Sequence, residues 1–408
     1  MKLRSYQESI DWMFQQFPSY QHLGAGAYKP GLQQTQNLLK ALGIQADTKN
    51  IIHVAGTNGK GSTCAYIGSI LVEKKEKVGQ FTSPHIFDFR ERIRINGEKI
   101  AENAVLDFCQ RVIDLKLAFE PSFFELTFAM AMDYFERNDC SILVIETGMG
   151  GRLDATNVLP STLSIVTNIG FDHTQFLGET LTEIAKEKAG IFKRGVPIVI
   201  GQTQDEISPV FIETATNVAA PIYFAQKEKH EIPVSIQLPG LQRMNLNTAL
   251  CALEKLGVSV NQVELEASIQ HLNKNTGFFG RLTKMSENPL VYFDVSHNKE
   301  GFEATFDAIN QLTYDNLHVI YGAAQDKNVN EIFYLFPKKA RIHLVEFSNT
   351  RSMKMEQWFE FKKQDERIQG VSSDVNTVLA SLKKTVSAKD LILVTGSFFL
   401  LSDLKRAE

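Results

Sequence analysis

Residues 51–71 read IIHVAGTNGKGSTCAYIGSIL, an apolar run, a glycine-rich turn and an apolar helical stretch. A strand buried on both faces that passes through such a turn into a helix forms a cradle for phosphate. Gly56, Gly59 and Gly61 let the backbone approach an oligophosphate and aim N–H groups at it, and the helix adds its positive end. Lys60 would neutralise the outer phosphates, and Ser62 or Thr63 could hold a magnesium ion. The strict spacing G-x-x-x-x-G-K-[ST] is not met, because two residues separate Gly56 from Gly59 and Gly61 precedes Ser62. The strand-turn-helix context therefore carries the nucleotide-phosphate reading.

Outward from this turn, short apolar runs alternate with helical stretches. Residues 51–55, 78–82, 141–145, 163–169, 197–200 and 221–224 read as strands buried on both faces. That alternation is the doubly wound, mostly parallel α/β pattern, in which ligands sit at the carboxyl ends of the strands. A second set at 290–295, 317–321, 341–345 and 391–395 makes a smaller Rossmann-like α/β unit. Between them TKMSENP, residues 283–289, is polar, lacks periodicity and ends in proline, so the linker is expected there. The expected domains are an ATP-binding phosphate-loop domain over 1–284 and a smaller one over 289–408.

Composition agrees. A chain of 408 residues exceeds what one core organises. A net charge of −4 argues against non-specific nucleic-acid binding. No segment approaches ~20 apolar residues and the MKLRSYQESIDW start lacks a signal-type apolar stretch, so the expected location is the cytoplasm. Cys64, Cys109, Cys140 and Cys251 have neither close pairing nor metal spacing and read as reduced core thiols.

Three further turns follow strands of the larger domain and should reach the same sheet edge. Glu146 ends one strand and leads into TGMGGRLDATN, and a carboxylate so placed is a good ligand for magnesium. Another strand runs into GFDH, ending at His173, and a third into TSPH, with Ser83. On the helix after His173, Leu181, Ile184, Ala185 and Phe192 form one stripe with Lys188 in its middle, while Glu183, Lys186, Glu187 and Lys193 point away. A buried ammonium is costly unless paired or chemically changed, so Lys188 is either ion-paired with Glu146 or Asp172, or functional. Arg90, Arg92 and Arg94 would line one face if their segment is extended, as a solvated row or a basic ridge. In the smaller domain YFDVSHNKEG places Asp294 and His297 at a strand end, where they could contact ribose, adenine or phosphates. Gly280-Arg281 supplies a cation near the domain boundary.

With these segments in view, the chain resembles the folylpolyglutamate synthase and dihydrofolate synthase family of the Mur ligase superfamily. GTNGKGST, TSPH with ERI, ETGMGGRLDATN, NIGFDH, EKAGIFK and the HN turn occur in the family's order over nearly the whole length. The resemblance implies ATP phosphates at Thr57, Asn58, Gly59, Lys60, Gly61 and Ser62, and two magnesium ions with ligands Ser83, Glu146 and His173. It implies a carbamylated lysine at Lys188, and nucleotide contacts from Gln242, Asn245, Arg281, Asp294 and His297. Lys60, Lys188 and His173 would carry the catalysis. The family's usual DGAHNP reads DVSHNK here, its PGR reads FGR, and Leu241 stands where histidine or tyrosine is common.

The implied reaction is carboxylate activation: the γ-phosphate of ATP passes to a substrate carboxylate, and the amine of L-glutamate attacks the acyl phosphate. The implied partners are small molecules, namely ATP, L-glutamate and a reduced folate or dihydropteroate, with no nucleic acid and no membrane, and the chain is expected to act as a monomer. A cell-wall precursor ligase is the alternative, disfavoured by TSPH and GGRLDATN. A kinase-like phosphotransferase would not require glutamate, and a non-catalytic nucleotide module would tolerate loss of Glu146, His173 and Lys188.

Overall fold

A computed structural model describes residues 1–17, 31–45, 50–228 and 230–405 of the chain. Two compact units result, one from residues 1–83 with 90–278 and the other from 84–89 with 279–408. In the first unit eight strands form one sheet: β1 Asn50–Ala55, β2 Val78–Phe81, β3 Ile93–Ile95, β4 Glu98–Lys99, β5 Ile142–Glu146, β6 Leu163–Val166, β7 Ile198–Ile200 and β8 Ile222–Phe224. Their spatial order is β4-β3-β2-β5-β1-β6-β7-β8. All neighbours are parallel except β2 with β3 and β3 with β4.

The chain leaves β1 towards β2 on one side and later lays β6, β7 and β8 on the other, so the order reverses at β1. Such a reversal opens a crevice at the carboxyl ends of the strands. Alternation across the pleat divides the core. Val199 joins Ile52, Val54 and the helix Lys60–Glu73 on one face, while Ile198 and Ile200 join Ile184, Phe192 and Phe211 on the other. The four cysteines are buried and in no disulfide, and burial pushes the thiols of Cys109 and Cys251 up to about 12. Among the described residues no helix is long and apolar enough to cross a membrane.

The second unit holds β9 Thr283–Glu287, β10 Leu290–Phe293, β11 Leu317–Tyr321, β12 Arg341–Val345, β13 Ile368–Ser372 and β14 Leu391–Thr395, in the order β13-β12-β11-β14-β10-β9. Thr283–Glu287, expected to be a structureless linker, is instead an edge strand antiparallel to β10. Its residues are half-buried or exposed, so the strand carries no apolar alternation to read. The arginine row is also corrected. Phe89–Arg92 is a 3₁₀ turn and only Ile93–Ile95 is extended. Arg92 is buried over the Phe123 ring, while Arg90 lies over Tyr6 and pairs with Glu102.

Histidines are held neutral in both sheets. Burial, with the charge of Lys193, holds His53 on β1 down to about 3. On adjacent strands the rings of His318 and His343 stack with centroids 5.7 Å apart. Burial, the neighbouring His318 and the Arg341 charge hold His343 down to about 4, and burial with Arg341 lowers His318 against the pull of Asp390. The unfolded chain takes up these protons first, so the stability they contribute is complete above about 6.5 and is lost as pH falls towards 4. Replacement His343→Gln should flatten the decline in second-unit stability between pH 6.5 and 4. Urea titrations read by Trp358 fluorescence in a Trp12→Phe background check this, and a slope as steep as the parent's would contradict it.

Candidate functional site

The phosphate turn leaves β1 at Gly56, and Gly59, at φ +84°, is the N-cap of the helix Lys60–Glu73. A β-carbon at Gly59 would stand 2.4 Å from Asn245 Oδ1, and one at Gly56 1.8 Å from Thr167 Oγ1, so both positions require glycine for close approach. The turn is stitched to the segment after β6. Thr57 N donates to Asn168 O (2.9 Å) and Asn58 N to Asn168 Oδ1 (2.8 Å). Thr57 Oγ1 accepts from Gly170 N (3.0 Å) and lies 3.1 Å from Gly170 O. Thr167 Oγ1 donates to Asn58 O at 2.6 Å. Sequence reading missed Thr167 and Asn168, whose only signal is a pair of polar residues at the end of an apolar strand.

Lys60 Nζ donates to the carbonyls of Gly56 (3.0 Å) and Thr57 (3.2 Å). Lys188 Nζ donates to the same Gly56 oxygen at 2.9 Å. Lys188 is buried, as its place on the apolar stripe implied, but it forms no ion pair with Glu146 or Asp172. Burial first, and then the Lys60 charge, push it down to about 7, against the pull of Asp172 and Asp154. A large part of this amine is therefore uncharged near neutral pH, ready to act as a nucleophile.

Glu146 ends β5 and is buried. Its Oε2 accepts from Ser83 N (3.0 Å) and would lie 3.6 Å from a β-carbon at Gly61, so the carboxylate faces the phosphate turn. The glycine turn beyond it is fixed by buried Asp154, whose Oδ2 accepts from Gly148 N and Met149 N, both at 2.9 Å. That turn also docks on the Lys188 helix. Arg152 N donates to Glu187 O (2.7 Å) and the Arg152 guanidinium pairs with Glu187 Oε1 (2.8 Å). Lys193 Nζ donates to Asn157 O (2.9 Å) and Oδ1 (2.8 Å). Glu187 lies off the buried face of the helix, as expected, whereas Lys193 lies beyond the helix, which ends at Ala189, so the helical wheel does not place it.

His173 caps the short helix Thr174–Leu177 at φ +53°, with Nε2 3.6 Å from Asp172 Oδ2. Ser62 is buried in the first turn of its helix. Gln242 and Asn245 are buried on the helix Gly240–Lys255, where Gln242 Oε1 accepts from Tyr66 Oη (3.2 Å). Among the described residues no group of three or more His, Cys, Asp or Glu is arranged to hold a metal. A hard cation here would take the Glu146 carboxylate with hydroxyl, water and phosphate oxygens, the oxygen donors that magnesium prefers.

In the second unit, the guanidinium carbon of Arg281 lies 5.2 Å from the centroid of the Phe398 ring, and the His297 centroid is 6.0 Å from it. Phe398, which sequence reading did not single out, gathers both. Asp294 is buried. Its Oδ1 accepts from Ser296 N (2.9 Å) and Thr305 Oγ1 (3.1 Å), and its Oδ2 from Leu282 N (3.0 Å), so it fixes the turn that bears His297.

Comparison with known proteins finds relatives over nearly the whole chain. A model of the Mur ligase middle domain matches residues 54–254, and one of the Mur ligase glutamate ligase domain matches 280–398. The chain is 32% identical to the dihydrofolate synthase/folylpolyglutamate synthase of Bacillus subtilis, over 98% of this chain and 99% of that protein. It is 28% identical to the Escherichia coli protein of the same description, over 90% and 89%. The structure of Escherichia coli FolC in complex with DHPP and ADP superposes with a TM-score of 0.84 at 25% identity, covering 98% of this chain and 96% of that one. A bifunctional folylpolyglutamate synthase/dihydrofolate synthase with Mn, AMPPNP and L-glutamate bound shares the fold, with a TM-score of 0.83 at 24% identity over 98% and 97%.

Replacing Lys60 with alanine removes two contacts to loop carbonyls and the charge next to the turn. Lys60→Ala should lower ATP turnover by roughly 100-fold or more while changing stability by no more than about 0.5 kcal/mol. Turnover and chemical denaturation on one preparation check this; near-normal turnover would remove the turn from the chemistry. Glu146→Gln should raise the magnesium concentration needed for half-maximal turnover by about tenfold, measured by titration at saturating ATP.

Proposed function

The chain belongs to the dihydrofolate synthase/folylpolyglutamate synthase family of Mur ligases, ATP-dependent ligases that join L-glutamate to a folate-type carboxylate, and from this premise we propose how its residues divide the work. The observation that carries the proposal is the convergence of Lys60 and Lys188 on the Gly56 carbonyl, beside a turn that faces Glu146.

On this reading the N–H groups of Gly59 to Ser62 cradle the ATP phosphates, and those of Thr57 and Asn58, expected to join them, are taken by Asn168 and hold the turn instead. Lys60 leaves its loop carbonyls for the transferred phosphoryl oxygens, where its charge counters what develops as the bond to the β-phosphate breaks. A substrate carboxylate oxygen takes the phosphoryl group and ADP leaves. The glutamate amine then attacks the acyl carbon, loses a proton and expels phosphate. Ser83, Glu146 and His173 would hold two magnesium ions, whose positive charge would neutralise the phosphate oxygens. Gln242, Asn245, Arg281, Asp294 and His297 would contact the nucleotide.

Lys188 is assigned to carbamylation. Its uncharged amine attacks carbon dioxide, an N–C bond forms and a proton is released, turning a buried cation into a carboxylate-like anion. Burial, a hydrogen bond to the Gly56 carbonyl with no ion pair among the described residues, and the downward shift to about 7 support this assignment. The chain is taken to act as a cytoplasmic monomer on small molecules, without nucleic acid.

Two experiments test these roles. ADP release with dihydropteroate, a reduced folate or a cell-wall peptide precursor, each with and without L-glutamate, should depend on glutamate and on a pterin acceptor. Release with the peptide precursor alone would move the chain to the other branch. Lys188→Met should keep or gain stability, because it removes an unpaired buried charge, and should lose turnover by about 100-fold or more. Lys188→Ala should be partly rescued by bicarbonate or short carboxylates. A folded Lys188→Met that turns over at the parent rate would exclude the carbamate.

A further inference from the structure

The backbone that follows β6 carries the partners of the phosphate turn, and each of its peptide groups from Val166 to Gly170 is held. The ladder between β6 and β7 continues past the strand ends, with Gly201 N donating to Val166 O (2.8 Å) and Gln202 N to Thr167 O (2.9 Å). Asn168 O accepts from Thr57 N, and the Gly170 peptide is engaged by Thr57 Oγ1. Between them lies Ile169, whose N–H and C=O meet no backbone partner. Both are taken by one side chain: Ile169 N donates to Gln204 Oε1 and Gln204 Nε2 donates to Ile169 O, each at 2.9 Å.

We propose that Gln204 is a positioning residue for the phosphate and metal end of the site, its carboxamide serving as the last rung of the β6–β7 ladder and fixing the turn that carries Gly170 and His173. The chemistry required is narrow. The side chain must present one donor and one acceptor side by side, at the reach of two methylenes, to copy an adjacent peptide group. Its own backbone is anchored, because Gln204 O accepts from Ile207 N (3.1 Å), Ser208 N (2.9 Å) and Ser208 Oγ (2.8 Å) at the start of the helix Ser208–Asn217. The carboxamide thus ties a fixed helix start to the turn that leads, past exposed Phe171, to the left-handed backbone of His173. Thr57 on one side and Gln204 on the other leave the 168–170 segment a single arrangement. A groups-behind-the-ligands role of this kind commonly sets metal affinity by 10–100-fold (an order-of-magnitude figure).

The metal arm of the proposal rests on the assignment of His173 made above; the backbone arm does not. Amide hydrogen exchange on the free protein reads the backbone arm without metal, nucleotide or turnover. Gln204→Ala, and Gln204→Glu, which sets an oxygen against Ile169 O in place of the donor, should speed exchange of the Ile169 and Gly170 amides by roughly tenfold. Protection of β1 and β7 and the unfolding midpoint should stay near the parent's. Gln226→Ala is the control, since Gln226 Oε1 accepts from Thr203 N (2.8 Å) one residue away and should leave both amides protected. In ADP release, the two Gln204 variants should raise the half-saturating Mg2+ concentration by about tenfold, and Gln226→Ala should not.

Unchanged exchange at Ile169 and Gly170, or an equal effect of Gln226→Ala, overturns the proposal. Faster exchange with an unchanged Mg2+ requirement also overturns it when His173→Ala raises that requirement, and then the metal assignment stands. If His173→Ala leaves the requirement unmoved as well, the assignment of His173 falls and the metal arm with it, while the faster exchange supports the backbone arm on its own.

Discussion

Two lysine amines meet at one carbonyl oxygen, that of Gly56, and the larger unit is built so that they can. They are accommodated this close because each donates to the same acceptor, because burial and the Lys60 charge push Lys188 towards its uncharged form, and because the surrounding backbone is fixed. The fixing is traceable. β1 delivers Gly56 to the centre of the sheet, Thr167 fills the space a β-carbon at Gly56 would need, and the Lys188 helix is docked through Arg152, Asn157 and Lys193. The arrangement leaves Lys60 free to turn to a phosphate and buries Lys188, and that burial, reinforced by the Lys60 charge, lowers its amine to about 7.

Much of this was legible because parallel strands covered on both faces read as unbroken apolar runs, and β1, β5, β11 and β14 are of that kind. The inward direction of Lys188 was legible from helical periodicity for the same reason, since one face of its helix is core. What escaped reading lies at edges and ends. β9 and β13 border the second sheet and show mixed burial, so their residues obey no alternation that distinguishes them from loop. Arg90, Arg92 and Arg94 were read with a strand period over a segment that begins as a 3₁₀ turn.

The site divided along a similar line. Groups that act through their own charge, Lys60, Glu146 and Lys188, announced themselves by type and position. Groups that act on backbone, such as Thr167, Asn168, Asp154 and Gln204, did not, because a hydroxyl or amide directed at a peptide group leaves no pattern in sequence. In the second unit the same blindness applied to Phe398, an apolar residue whose ring collects Arg281 and His297, and to the structural duty of Asp294, whose two oxygens hold the turn it was expected only to decorate.

The account turns on the charge state of Lys188 in the free protein. Nitrogen-detected NMR of lysine side chains, titrated in carbon dioxide-free buffer and assigned with Lys188→Arg, measures it directly. The predicted result is a lysine resonance that titrates at about 7 and is absent from Lys188→Arg. A Lys188 resonance that stays protonated to pH 10 would mean that burial and the neighbouring Lys60 do not uncharge the amine, and would contradict the account.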